Sequence, residues 1–148
     1  MKKQAYTMIA MLVLVGSMAV AAQAQTSGRT QLIAKIPFAF NVGNATLPAG
    51  EYTVAQINPA SDHVVLQLRS RDGSAGAMVQ MTTMIGKARK TANLIFNCYG
   101  NRYFFAQAWT GEEGSGLQAP KPRAERAAER ERAGIKAKTE AVALMASR

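Results

Sequence analysis

From Ile33 to Trp109 apolar residues recur at nearly every second position, in short runs separated by Gly, Asn, Asp and Pro. A repeat of two places alternate side chains on opposite faces of a pleated strand, whereas a helix would repeat its apolar positions at three and four. The pattern therefore restricts the chain to an all-β design in which each half-apolar strand needs both a core and edge partners. The expected architecture is a small antiparallel sandwich or partly open barrel of about six strands, followed by a C-terminal α-helical tail.

Two turns fix the register of this design. Across Asp72-Gly73, a tight hairpin pairs Val64 with Met81, Leu66 with Val79 and Leu68 with Ala77, and gathers these six apolar residues on one face. A slip of one residue would turn that face to water. Across Gly100-Asn101, Cys98 meets Tyr103 and Phe96 meets Phe105, so Leu94, Phe96, Cys98, Tyr103, Phe105 and Trp109 share a face and mark the centre of the core. Gln107 is the misfit on that face. Ile36, Phe38, Phe40 and Val42 alternate inward on an earlier strand, where Pro37 lacks an amide donor and points to an edge or a bulge. A further strand runs from Glu51 to Ile57 after the Leu47-Pro48-Ala49-Gly50 turn.

The ends of the chain differ from this body. Lys2 and Lys3 precede an apolar stretch from Met8 to Val20 and an Ala22-Gln23-Ala24 cleavage pattern, so residues 1–24 read as a signal peptide. The uncharged run of about 15 residues is short of the roughly 20 that span a bilayer. Export to the periplasm or medium is the expectation, with no transmembrane segment after cleavage. Residues 25–32 form a flexible lead, 33–110 the β domain, 111–122 a Gly-rich linker, and 123–148 a charged tail. In the tail, Ala, Glu, Arg and Lys favour helix, Pro122 suits a helix start, and Arg126, Glu129 and Arg132 are spaced for ion pairs along it.

The formal charge is +9, and loss of Lys2 and Lys3 with the leader lowers it by two. Outside the cytoplasm such a surface meets lipid phosphates and acidic polymers rather than nucleic acid. The loop residues Lys87, Arg89 and Lys90 are candidate contacts to anionic envelope components, and another envelope protein is the other partner considered. Tyr52, Tyr99, Tyr103 and Trp109 are a candidate aromatic platform for an apolar or glycan ligand.

Catalysis is poorly provided for. The β domain and linker hold one histidine (His63), one cysteine (Cys98) and the acids Glu51, Asp62, Asp72, Glu112 and Glu113. Asp72 belongs to a turn, Glu112 and Glu113 to the linker, and the neighbours Asp62 and His63 would point to opposite faces of a strand. Cys98 has no disulfide partner and reads as a small buried hydrophobe. Met78, Met81 and Met84 could offer thioethers to Cu(I), but a spacing of three splits them between the faces of a strand. No catalytic, cofactor-binding or metal-ligating set is expected. The leading expectation is an exported, non-enzymatic β-domain with a structural or binding role in the envelope. The alternatives are a basic protein attached to anionic envelope surfaces, and a small periplasmic hydrolase or isomerase.

The stretch Ile36-Pro-Phe-Ala-Phe-Asn-Val-Gly-Asn-Ala-Thr-Leu-Pro-Ala-Gly-Glu-Tyr-Thr-Val54, with Leu-Gln-Leu-Arg69, Tyr99-Gly-Asn-Arg-Tyr-Phe104 and Pro-Arg-Ala-Glu-Arg126, resembles a group of small exported proteins of environmental bacteria. The resemblance spans the β body and the start of the tail. It implies a shared β scaffold in which the Pro-Ala-Gly-Glu-Tyr turn serves the fold, and it brings no activity, substrate or catalytic residue.

Overall fold

The computed structural model describes residues 31–58, 63–87, 89–111, 114–133 and 135–146. Residues 1–24, expected to be a signal peptide, and nearly all of the expected lead 25–32 lie outside them, as do Asp62, Glu112 and Glu113. The described residues form strands β1 (Leu32–Ile36), β2 (Phe40–Val42), β3 (Ala45–Leu47), β4 (Gly50–Gln56), β5 (Val64–Ser70), β6 (Gly76–Ile85), β7 (Asn93–Tyr99), β8 (Arg102–Trp109) and β9 (Ser115–Gln118), then helix α1 (Arg123–Glu131) and strand β10 (Lys138–Ala146).

Eight of these strands close a ring in the order β8, β7, β10, β1, β4, β5, β6, β9 and back to β8, with all neighbours antiparallel. The β2–β3 hairpin joins parallel to the start of β8, with Phe40 opposite Tyr103. The end of β8 pairs instead with β9. A closed barrel of eight strands with an added hairpin thus replaces the expected sandwich or partly open barrel of about six. Pro37 explains one of the extra strands: without an amide donor it ends β1, and the chain leaves its place between β10 and β4 before resuming as β2 beside β8.

The largest departure is in the tail, which is helical only from Arg123 to Glu131 among its described residues. Beyond it, β10 pairs Lys138–Ala143 with β7 and Leu144–Ala146 with β1. Helix propensities differ by only tenths of a kcal/mol per residue, whereas β1 and β7 would otherwise present unpaired backbone groups. Val142 and Leu144 turn to the core, and Ala141, Ala143 and Met145 turn outward. The Gly-rich stretch read as a linker likewise contains β9, which bridges β6 and β8.

Inside the barrel the alternation is as the sequence reading has it. Val64, Leu66 and Leu68 face Met81, Val79 and Ala77 in the expected register, although the turn between them is longer than two residues, with the Ser70 amide donating to the Ala75 carbonyl. Within that turn Asp72 accepts from Ser70 Oγ and from the Ser74 amide and hydroxyl, and these bonds hold its carboxyl down at about 2. Phe40, Tyr52, Phe96 and Phe105 fill the centre, with edge-to-face contacts of Phe40 with Tyr52 at 5.2 Å and with Phe96 at 5.3 Å. Contacts of this kind contribute roughly 0.5–1.5 kcal/mol beyond area burial.

A bulge corrects the second hairpin. Phe96 pairs with Phe105, but Ile95 pairs with Gln107, so Ala106 is the extra residue and the faces exchange beyond it. Ala108 joins the core, and Gln107 and Trp109 move together to the opposite face, where Trp109 Nε1 donates to Gln107 Oε1 at 2.9 Å. The apparent misfit at Gln107 is thereby removed. Trp109 is still buried, because its ring packs on two bare backbones: a Cβ at Gly116 would come within 2.8 Å of its ring, and one at Gly86 within 2.6 Å. Gly116→Ala is expected to destabilise the fold by about 1–3 kcal/mol through this overlap. Urea unfolding followed by the emission of Trp109, the single tryptophan, checks this, and an unchanged midpoint would show that the ring is not seated there.

Candidate functional site

Residues with catalytic potential are dispersed. His63 is exposed on the approach to β5, with Nδ1 3.2 Å from Gln80 Nε2. Glu51 is paired with Arg71, and Asp72 is committed to its turn. Cys98 is a buried free thiol donating to the Gly100 carbonyl at 3.1 Å. On β6, Met81 is buried while Met78 is exposed and Met84 half-buried, and no group of three metal-ligating side chains occurs among the described residues.

The four aromatic residues considered as a platform do not meet. Tyr52 is in the core, its hydroxyl donating to the Pro48 carbonyl at 2.6 Å, and burial raises its pKa. Tyr99 lies on the outer face under α1. Tyr103 stacks on Phe38 at the rim of the core, with centroids 3.8 Å apart, and a hydrogen bond with Cys98 raises its pKa. Trp109 is on the outer face of β8, and only here do two of the proposed groups join: the Arg89 guanidinium sits 5.1 Å from its ring centroid. Lys87 and Lys90 are exposed beside it in the same loop.

The strongest arrangement on the surface is one that sequence reading missed. Helix α1 packs against the outside of β7 and β8 through Glu125 and Ala128, which are three residues apart and are both buried, against Tyr99 and Phe104. The Glu125 carboxylate accepts from Asn97 Nδ2 at 2.8 Å and from the Tyr99 hydroxyl at 3.3 Å. Burial, reinforced by that negative charge, raises the Tyr99 pKa. Two of the sequence segments that carried the resemblance, Tyr99–Phe104 and Pro122–Arg126, are therefore in contact.

The other two helix acids are also committed. Glu131 pairs with Arg102 on β8, and Glu129 pairs with Lys121 at 2.9 Å rather than with Arg126 or Arg132 as its spacing suggested. With Glu125 and Ala128 held against the barrel, Arg123, Arg126 and Arg130 fall on the opposite helix face at spacings of three and four. All three are exposed, and no carboxylate among the described residues forms an ion pair with any of them. The result is a row of three guanidinium groups on a rigid support, an arrangement suited to phosphate or carboxylate recognition.

The chain matches no protein-family model, and no similar curated protein or solved structure is found. No described helix is long and apolar enough to cross a membrane. Glu125→Ala is expected to leave Asn97 Nδ2 and the Tyr99 hydroxyl without their acceptor and to lower stability by about 2–4 kcal/mol. Glu125→Gln, which keeps an acceptor oxygen, should retain most of it. Chemical denaturation of the two variants checks this, and equal losses would show that packing rather than the acceptor holds the helix.

Proposed function

We propose that this protein is an exported, non-enzymatic β-barrel that attaches to anionic surfaces of the cell envelope through the outer face of α1. The observation that supports this reading is the inward or lateral commitment of Glu125, Glu129 and Glu131, which leaves Arg123, Arg126 and Arg130 in one row with no ion pair among the described residues. Ordinary surface charges alternate in sign and neutralise one another, whereas this row presents one sign to solvent. The core aromatics support it from the other side: Phe40, Tyr52, Phe96 and Phe105 occupy the barrel interior, which directs recognition to the outer surface. The Lys87, Arg89 and Lys90 loop is an additional basic contact in this reading.

Cosedimentation of the purified protein with phosphatidylglycerol vesicles tests the proposal. Binding is expected to weaken steeply between low and high salt. Replacing Arg123, Arg126 and Arg130 together by Gln is expected to weaken it by about 100-fold, on the basis of about 1 kcal/mol for each basic residue at an anionic membrane. Binding that ignores salt, or a triple variant that binds like the parent, would contradict the proposal.

A further inference from the structure

Beyond the arginine row, Arg132 and residues 135–138 lie with the β7–β8 turn around a cavity of about 260 Å³. Cys98, Tyr99 and Gly100 line one side of it, and Arg132, Lys136 and Lys138 are basic residues of its other walls, the Arg132 guanidinium lying against Gly100. None of its lining residues is acidic, and none of the three cations forms an ion pair among the described residues. Two acids lie nearby, and Glu140 shares a face of β10 with Lys138. Glu131 pairs with Arg102, and neither it nor Glu140 is part of the lining.

The walls of this cavity are set by the fold. Lys138 is opposite Cys98 in the β7–β10 ladder. Gly100 holds the turn at φ +72°, and its missing side chain admits the Arg132 guanidinium, whose Cζ would lie 2.9 Å from a Cβ placed there. Ile135 is anchored by its amide to the Arg132 carbonyl at 2.9 Å, yet its side chain is 67% exposed at the cavity rim. Three like charges around one small space repel one another unless an anion joins them. The volume suits one compact anion with a few waters, since a water occupies about 30 Å³, and it is below the roughly 300 Å³ at which drug-sized ligand sites begin. A dianionic phosphate matches both a guanidinium and two ammonium groups.

We infer that this cavity receives the phosphomonoester head of an anionic lipid, with Ile135 entering the membrane interface beside it. The exposed isoleucine at the rim selects a lipid over free phosphate, because an apolar side chain there gains only if the ligand brings an apolar phase with it. The inference rests on the envelope-binding reading above and adds selectivity for a headgroup.

Vesicles of phosphatidylcholine doped with phosphatidic acid, a phosphomonoester, or with phosphatidylglycerol, a phosphodiester, at matched surface charge, separate the two ideas. The wild-type protein is expected to bind the phosphatidic acid vesicles about ten-fold more tightly. Lys136→Gln with Lys138→Gln should erase that preference while leaving salt-sensitive binding to both vesicles. Ile135→Ser should weaken binding to both without changing the preference. All three positions are exposed, and an unaltered thermal transition confirms that the variants fold. Equal binding of the two vesicle types by the wild type overturns the cavity inference and leaves the arginine row standing, whereas failure to bind either overturns both. A preference that survives the double lysine substitution also overturns the inference. So does binding of inorganic phosphate, detected at the Gly100 amide by NMR, without any preference between vesicles.

Discussion

Every other feature of this molecule depends on β10 entering between β1 and β7. That one segment supplies backbone partners to two strands distant in sequence, and without it the ring would be open at both edges. Its closure also places the chain before it: α1 lies against the outside of β7 and β8, and Arg132 and residues 135–138 line a cavity at the end of the β7–β8 hairpin. The basic surface is thus a consequence of how the barrel closes.

The interior and the surface have divided the work. Inside, Phe40, Tyr52, Phe96 and Phe105 interlock with aliphatic residues and leave the charged groups outside the core cluster. Outside, a buried carboxylate, Glu125, fixes the helix by accepting two hydrogen bonds from β7. A charge in that position is tolerated because both donors are aimed at it, and breaking the arrangement costs more than making it contributes. The same bonds orient α1 so that its arginines face away from the barrel.

Much of the barrel could be read from the residues. The β5–β6 register followed from the apolar alternation, and Phe96 against Phe105 from the Gly100-Asn101 turn. The bulge at Ala106 was signalled only indirectly, by a glutamine on an apolar face. The strands β9 and β10 were hidden because glycine reads as linker and Ala, Glu, Lys and Leu read as helix. Local preference of a few tenths of a kcal/mol could not reveal that two open sheet edges were waiting. The candidate site was less legible still. Arg123, Arg126 and Arg130 look like a solvated helix face until the acids between them are seen to be taken by Asn97, Tyr99, Lys121 and Arg102 on other parts of the chain. The four aromatic residues considered as a platform are divided among core, rim and outer face, and that division required the fold.

Hydrogen exchange at the backbone of residues 138–146 examines barrel closure most directly. If β10 is a strand held on both edges, its ladder amides exchange as slowly as those of β7, and cross-strand contacts link Val142 to Leu94 and Ile33 to Met145. Rapid exchange throughout this segment, or contacts repeating at the spacing of a helix, would mean that the ring does not close in this way.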